Sequence, residues 1–448
     1  MGVCPECVKK VPARILEADG KVFLEKHCLE HGVSRAMVSS GVEWFRRSMH
    51  YAKPGQAPLA KRESGFSGCP DSCGSCREHR QHTCMPVVEI TNECDLACPV
   101  CLKSNSKPFR LDLEEFSRVL DALFRYEGSV DVINLSGGEP TRHPGLGDML
   151  RMAADRGVLQ SSVSTNGLTL AEDASLRRVF RETGAIAALQ FDGFRPETYA
   201  VLRGRDLAGM KRELVRMLEE EGVRYSLVAT VARGVNDGEI PALSDFLFES
   251  RALSLMLQPV AFTGRWAGED PDRYRMTISD VVDAMAGSRH AKPADFNPLP
   301  CSHFSCFALS YYVADEAGRY VSLKEFLGEA KLLDVICNRT LPGLDPEGLQ
   351  AMRERLMELW SAGDAGTTGG RALERMARVL SEMDAPGFDR RKALDLGVGN
   401  MKAVYIHQFM DRHTMDLGRL VKCCHPYVRP DGTLIPMCAE NVFRAGRS

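Results

Sequence analysis

Sixteen cysteines stand in a chain of 448 residues, and their spacing is where chemistry is first legible. Cys94, Cys98 and Cys101 are set C-x3-C-x2-C in CDLACPVC, and Cys69, Cys73 and Cys76 repeat that spacing in CPDSCGSC. Ten cysteines fall before residue 102, none between 102 and 300, and six after that. In a secreted chain such numbers suggest disulfides, whereas clustered cysteines in a large cytosolic chain point to metal. The opening MGVCPECVKKVPAR has no apolar core of a signal peptide, and no apolar run nears the ~18 residues of a membrane span, so a cytoplasmic protein is expected. Three thiolates can hold three irons of a [4Fe–4S] cluster and leave the fourth iron open to a ligand. A structural zinc would want a fourth ligand nearby, which the 94–101 loop lacks.

Such a loop needs a scaffold, and the cysteine-free middle supplies one. Strand-like runs occur at VVEIT (87–91), VDVINLS (130–136), QSSVST (160–165), AIAALQF (185–191), YSLVATV (225–231) and LSLMLQP (253–259). Between them lie helical patterns such as 113–128 and 206–222, with apolar residues recurring at three and four. Repeated strand–helix units imply parallel pairing with right-handed crossovers. The expected fold is α/β, a partial (β/α)6 barrel, with ligands gathered at the C-terminal strand ends. Length sets a prior of two or three units. The expected divisions are a mononuclear metal module at 1–43 and a connector with a cysteine segment at 44–84. A barrel core at 85–265 and a C-terminal, α-rich region at 266–448 follow, with helices at 346–361 and 371–384. A hydrophobic content of 44%, a charged content of 26% and a net charge of −3 give no reason to expect nucleic acid as a partner.

Other residues converge on the same strand ends. Gly137-Gly138-Glu139-Pro140 ends the second strand, where glycines admit close backbone approach and Glu139 offers a carboxylate to a cation. Ser164-Thr165-Asn166-Gly167 ends the third, and Gln190 and Asp192 end the fourth. Asn236 and Gly264, after the fifth and sixth, are weaker candidates. With the three-cysteine loop after the first strand, this set resembles the radical S-adenosylmethionine (SAM) superfamily. The resemblance implies a SAM-binding [4Fe–4S] cluster on Cys94, Cys98 and Cys101. It implies contacts from Gly137, Gly138, Glu139 and Pro140 to the methionine amino group, with further SAM contacts from Ser164 and Asn166. Gln190 and Asp192 would reach the ribose. The implied activity is reductive cleavage of SAM to a 5′-deoxyadenosyl radical that abstracts hydrogen.

The remaining cysteines read as further metal sites. Cys69, Cys73, Cys76 and Cys84 follow no strand and include a fourth thiol, so they suit a closed auxiliary [4Fe–4S] cluster, with a second SAM cluster the alternative that spacing alone leaves open. His79 and His82 within that segment suit donation to sulfur. Cys4-x2-Cys7 and Cys28-x2-His31 have zinc-ribbon spacing around a hairpin-like ILEADGKVFLEK, for one Zn or Fe ion. A distant cysteine could replace His31. Cys301, Cys306, Cys424 and Cys438 suit a second auxiliary cluster, with Cys423 an alternative to Cys424. Cys337, in the apolar run KLLDVIC, reads as a core thiol, and His303, His407 and His413 read as ordinary. PDG at 430–432 is a turn signal between two short β-like runs.

The whole cysteine framework, from CPEC and CLEHG to PCSHFSC and CCHP with PDGTLIPMCAEN, resembles the archaeal tetraether lipid synthase family, also described as dihydropterin dimethyltransferases. The resemblance implies C–C bond formation or methyl transfer at an unactivated C–H bond of a lipid-like or pterin-like substrate. It also implies a low-potential electron donor, ferredoxin- or flavodoxin-like, and a peripheral membrane contact if the substrate is lipid. No D-x-H-x-x-G cobalamin motif is present; DRHTMD at 411–416 does not fit. The competing class is an iron–sulfur electron carrier or metal scaffold that binds no SAM, and the GGEP, STNG and LQFDG elements count against it.

Overall fold

The computed structural model describes residues 1–61, 76–103, 108–315, 318–338 and 389–444, with isolated positions between 350 and 382. Cys69, Cys73 and most of the helices expected at 346–361 and 371–384 lie outside the described residues.

The chain opens with a short hairpin of β1 (Gly2–Val3) and β2 (Lys10–Val11). A three-stranded antiparallel meander follows, of β3 (Ala13–Ala18), β4 (Lys21–Cys28) and β5 (Gly32–Ser39). Asp19 and Gly20, both at positive φ, make the tight turn between β3 and β4. The helix Val42–His50 then packs Phe45 onto Val22, Leu24 and Val38, giving this module its own small core.

All six expected core strands form: β6 (Val87–Thr91), β7 (Val132–Gly137), β8 (Gln160–Thr165), β9 (Ile186–Gln190), β10 (Tyr225–Val231) and β11 (Ser254–Pro259). They pair parallel and in sequence order, as strand–helix repetition requires. Helices Leu113–Glu127, Leu146–Asp155, Ala174–Thr183, Ala208–Glu220 and Ile240–Glu249 make the crossovers. The first is fixed by a capping box, with the Glu115 amide donating to Asp112 Oδ1 at 2.7 Å and the Asp112 amide to Glu115 Oε2 at 3.0 Å. Leu227, Ala229 and Val231 of β10 and Leu255 and Leu257 of β11 are buried with Leu243 and Leu247 of the covering helix. The alternate residues Ser226, Val228, Thr230, Ser254, Met256 and Gln258 are half-buried on the other face.

The C-terminal region extends the sheet at both edges, at one with strands that the sequence reading did not place and at the other with the two short runs expected around PDG. β12 (Asn297–Pro298), β13 (Phe307–Ala314) and β14 (Tyr320–Ser322) join one edge through β15 (Met401–His407), which runs parallel to β11 and antiparallel to β13. At the other edge β16 (Pro426–Val428) lies parallel to β6 and turns antiparallel into β17 (Leu434–Pro436). The result is one sheet of twelve strands. β13 is buried at every position, so FALSYYVA carries none of the alternation that marks a half-exposed strand. The PDG turn is present between β16 and β17, closed by the Gly432 amide on Arg429 O at 2.8 Å. No helix among the described residues is long and apolar enough to cross a membrane.

Candidate active site and metal centres

Cys94, Cys98 and Cys101 leave the C-terminal end of β6, and four neighbouring strand ends brace their loop. From β7, the amides of Gly138 and Glu139 donate to Thr91 O and Glu93 O, both at 2.7 Å. From β8, Asn166 Nδ2 donates to Asp95 Oδ1 at 2.6 Å, between the first two cysteines. Beyond β9, the positive charge of Arg203 opposes the rise that burial gives the Cys98 thiol. Beyond β11, Gly264 lies against the Cys101–Leu102 peptide, and the Arg265 amide donates to Cys101 O at 3.0 Å. The three-sulfur loop is thus held by the same elements that carry the predicted SAM motifs.

Glu139 is fully buried, and burial pushes its carboxyl up. Its Oε1 accepts from the Thr141 amide and hydroxyl at 3.2 and 2.5 Å and from Thr165 Oγ1 at 2.7 Å. Its Oε2 accepts from the Asn166 amide at 2.7 Å. The GGEP and STNG elements are therefore one hydrogen-bonded unit. Ser164 Oγ donates to Asn134 Oδ1 at 3.0 Å, locking β8 to β7.

Gln190 and Asp192 belong to a charged network that the sequence did not announce. Asp192 Oδ1 accepts from Arg203 Nη2 at 2.7 Å and the Thr230 amide at 2.9 Å, and Oδ2 from Arg203 Nε at 2.7 Å and from Gln190 Nε2. Both carboxylate oxygens are spent on protein donors, so in this structure Asp192 fixes Arg203 instead of presenting an oxygen to a ribose. Gln190 Oε1 accepts from Lys211 Nζ at 3.0 Å, and the same ammonium donates to Asn166 O. Burial holds Lys211 down to about 7. Asn236, a candidate for nucleoside contact, spends its amide on the backbone: Oδ1 accepts from the Ala232 amide at 2.9 Å, and Nδ2 donates to Asp192 O and Thr230 O at 2.8 Å. Sequence reasoning missed Asp95, Arg203 and Lys211. Asp95 at least lies inside the cysteine motif, while the other two sit on ordinary-looking helices.

The N-terminal quartet comes together as expected. Cys4 Sγ and Cys28 Sγ lie 3.6 and 3.5 Å from His31 Nδ1, and Cys7 Sγ is 3.9 Å from Cys28 Sγ. All four ligand atoms fall within 4.8 Å of one another, the only such group among the described residues. A closed Cys3His set of this size fits one tetrahedral ion. The 94–101 thiols are not so tightly gathered, which fits a multi-iron cluster and not a single ion.

Of the C-terminal cysteines, those of the expected second auxiliary set other than Cys301 gather around one cavity. Cys84 lies beside Cys424, its amide donating to Cys424 O at 2.9 Å, while Cys69 and Cys73, two of its expected cluster partners, lie outside the described residues. Cys337, read as a core thiol, accepts from Asn338 Nδ2 at 3.4 Å, and Cys301 Sγ accepts from the Asn338 amide at 3.0 Å. Cys306, Cys423, Cys424 and Cys438 line that cavity with His407, His425 and Arg419, whose Nε donates to Cys306 Sγ at 3.3 Å. His82 Nε2 lies 3.8 Å from Cys84 Sγ, as a donor to sulfur would. His79 is buried, which holds its imidazole down to about 4, and its amide donates to Cys76 O at 3.0 Å.

Comparison with known proteins agrees with this geometry. Residues 88–247 match the radical SAM superfamily, and residues 1–40 match the HMPTM N-terminal zinc ribbon domain. The chain belongs to the radical SAM superfamily. It is 27% identical to the 7,8-dihydro-6-hydroxymethylpterin dimethyltransferase of Methanocaldococcus jannaschii, over 99% of this chain and 93% of that one. It is 29% identical to a GTP 3′,8-cyclase of Chlorobaculum tepidum, over 45% of this chain and 63% of the cyclase. Among solved structures, Streptococcus suis SuiB bound to S-adenosylmethionine overlaps 40% of each chain at 17% identity and a TM-score of 0.35. This radical SAM enzyme therefore carries SAM, a [4Fe–4S] cluster and a ribbon metal as its cofactors.

Proposed function

We propose that this radical SAM enzyme acts on an unactivated C–H bond of a pterin-like or lipid-like substrate, forming a C–C bond or transferring methyl groups. The observation that carries the proposal is similarity to a pterin dimethyltransferase along nearly the whole length of both chains. When bound, SAM and the cluster supply a 5′-deoxyadenosyl radical by one-electron cleavage of the S–C5′ bond. The protein's own part is holding and orienting. Cys94, Cys98 and Cys101 hold the cluster. Gly137, Gly138, Glu139 and Pro140 cradle the methionine end, with Glu139 Oε2 retaining acceptor capacity for an ammonium beyond its one bond to Asn166. Ser164, Asn166 and Gln190 line the nucleoside side. Asp192 acts through Arg203, which supplies the cation of the pocket. The electron comes from a low-potential donor of ferredoxin or flavodoxin type.

The test has two stages. Anaerobically reconstituted protein with SAM and dithionite should release 5′-deoxyadenosine, and the C94A/C98A/C101A variant should not. Mass spectrometry of pterin and lipid extracts from cells with and without the protein then identifies the substrate. New methylated pterins support the pterin reading, and coupled alkyl chains support the lipid reading. Intact clusters with no 5′-deoxyadenosine would return the chain to the electron-carrier class.

A further inference from the structure

The inner face of the sheet carries a group of charges where β6 meets β16. Val88 and Ile90 of β6 and Val428 of β16 are packed into the core with Leu227 and Leu255. Glu89 and Tyr427, which alternate with them, therefore share the opposite face with Thr230 and Met256. The pairing of Val87 with Tyr427 and of Val88 with Val428 brings Arg429 level with Glu89. Lys103, two residues after Cys101, pairs with Glu89 Oε1 at 2.8 Å and lies 4.0 Å from the centre of the Tyr427 ring. Arg429 in turn pairs with Glu440 Oε1. The side chains of Lys103 and Glu89 are 27% and 32% exposed, so the group borders open space.

The C-terminal turn ties this group to the cysteine loop. Thr263 Oγ1 donates to Asn441 O at 2.9 Å, and the next residue, Gly264, lies against the Cys101–Leu102 peptide. Glu440 and Asn441 are only 9% and 2% exposed. Among the described residues, Glu440 Oε2 and Asn441 Oδ1 have no hydrogen-bond partner. Leaving one buried acceptor unpaired costs about 1–3 kcal/mol, and here two successive residues carry one each. By contrast, every side-chain oxygen of the buried Asp192 and Asn236 accepts from the protein. Arg429 engages Glu440 Oε1 and so fixes where the open Oε2 points.

We infer that Glu440 and Asn441, with Lys103, bind the 2-amino-4-oxopyrimidine edge of the substrate, the ring portion that pterins and guanine share. That edge presents two neighbouring N–H donors, on the ring nitrogen and the 2-amino group, to acceptors of the kind left open here. Its carbonyl oxygen suits a cation, and Lys103 keeps donors beyond the one spent on Glu89. An alkyl chain has no donor to give and would leave both acceptors unpaired. The inference rests on the reading of this chain as an enzyme of a pterin-like or lipid-like substrate, and it selects the first. Through Lys103 and Thr263 the ring would be held beside the loop of Cys94, Cys98 and Cys101.

The test measures binding to the reconstituted full chain with SAM and no reductant, so that nothing turns over. By calorimetry, 6-hydroxymethylpterin or guanosine should bind about tenfold or more tightly than the matching 2-oxo ring, 6-hydroxymethyllumazine or xanthosine. Whichever amino ring binds identifies the source of the edge. Glu440→Gln should abolish or reverse the preference, because the amide puts a donor where Oε2 accepts. Should that variant fold poorly, Asn441→Leu removes an acceptor that no protein group uses. It should keep or raise the urea midpoint while weakening the amino ring about tenfold. Equal affinity for amino and oxo rings, or a preference that survives both substitutions, would overturn the assignment. So would binding of phospholipid vesicles alone, or an Asn441→Leu protein that loses stability and keeps its affinity. Because 5′-deoxyadenosine release is measured separately, failure of SAM cleavage leaves this result standing, and a cleaving enzyme that ignores both rings sinks this inference alone.

Discussion

Arg203 clasps Asp192 with two nitrogens, each 2.7 Å from a different carboxylate oxygen, in a pair where Asp192 is wholly buried and Arg203 nearly so. The pair sits where the end of β9 meets the three-cysteine loop, and the charge of the same guanidinium acts on the Cys98 thiol, against the rise that burial gives it. Charge buried at that point is expensive unless matched, so each partner sets the position of the other. Asp192 thereby positions the cation that acts on the cluster loop.

Removing one member should cost far more than removing both. Asp192→Asn leaves a guanidinium without its anion in a buried setting, a loss of about 3–5 kcal/mol for a pair of this kind. D192N/R203M should recover a substantial part, and urea unfolding of the four proteins in a double-mutant cycle reads the difference. Additive losses would show that the two residues do not act as a unit.

The ribbon makes a separate prediction. Cys28→Ala should release its metal and unfold residues 1–40, because metal binding in such a module contributes roughly 10 kcal/mol or more to folding. His31→Cys should keep one ion per chain, since a fourth sulfur preserves the tetrahedral set. Metal analysis and hydrogen exchange over β3–β5 distinguish these outcomes. Loss of metal from His31→Cys would mean that the Nδ1 geometry, and not ligand number, decides the site.

What the sequence disclosed and what it withheld follow from how local each feature is. Cys94, Cys98 and Cys101 belong to one loop, and Cys4, Cys7, Cys28 and His31 to two knuckles joined by a hairpin, so spacing alone locates them. The strand β10 alternates burial residue by residue and is recognisable for that reason. The meeting of Cys84 with Cys424 depends on the parallel register of β16 on β6, across more than 330 residues of chain, which no local pattern encodes. Lys211 is hidden for a different cause. Lysine is usually exposed, yet Lys211 is wholly buried, on the helix face that also carries Ala208, Leu214, Val215 and Leu218.

That lysine should write a pH dependence into stability. Its folded value is held down to about 7 by burial, against an ordinary 10.5. Between those values the unfolded chain binds a proton that the folded chain does not, so stability from this group rises with pH across that window and is flat on either side. The size is of order a few kcal/mol at about 1.4 kcal/mol per unit. Lys211→Met should lack the rise. The urea midpoint of wild type minus that of the variant, followed from pH 6 to 10, should therefore increase. Parallel curves would mean that Lys211 keeps its proton through association with Asp192 and Glu139, the carboxylates near it.

Gly137 offers the most stringent test of how the SAM-binding unit is built. Its φ is +132°, and a Cβ there would stand 1.9 Å from Thr91 O, an atom fixed in β6. Gly157 supplies the control, because its φ is +92° but a Cβ there meets nothing within 4 Å. Gly157→Ala should cost only the conformational penalty, about 1–2 kcal/mol. Gly137→Ala carries a similar penalty plus a clash that relief can come to only by parting β7 from β6. That movement pulls the amides of Gly138 and Glu139 off Thr91 O and Glu93 O, the bonds that brace the cysteine loop from one side. The expected outcome is a destabilisation at least twice that of Gly157→Ala, together with weaker SAM binding by equilibrium dialysis, which the control should not show. Equal costs at the two glycines would mean that the β6–β7 end yields easily, and that the cysteine loop owes its shape to Asn166, Arg203 and Arg265 alone.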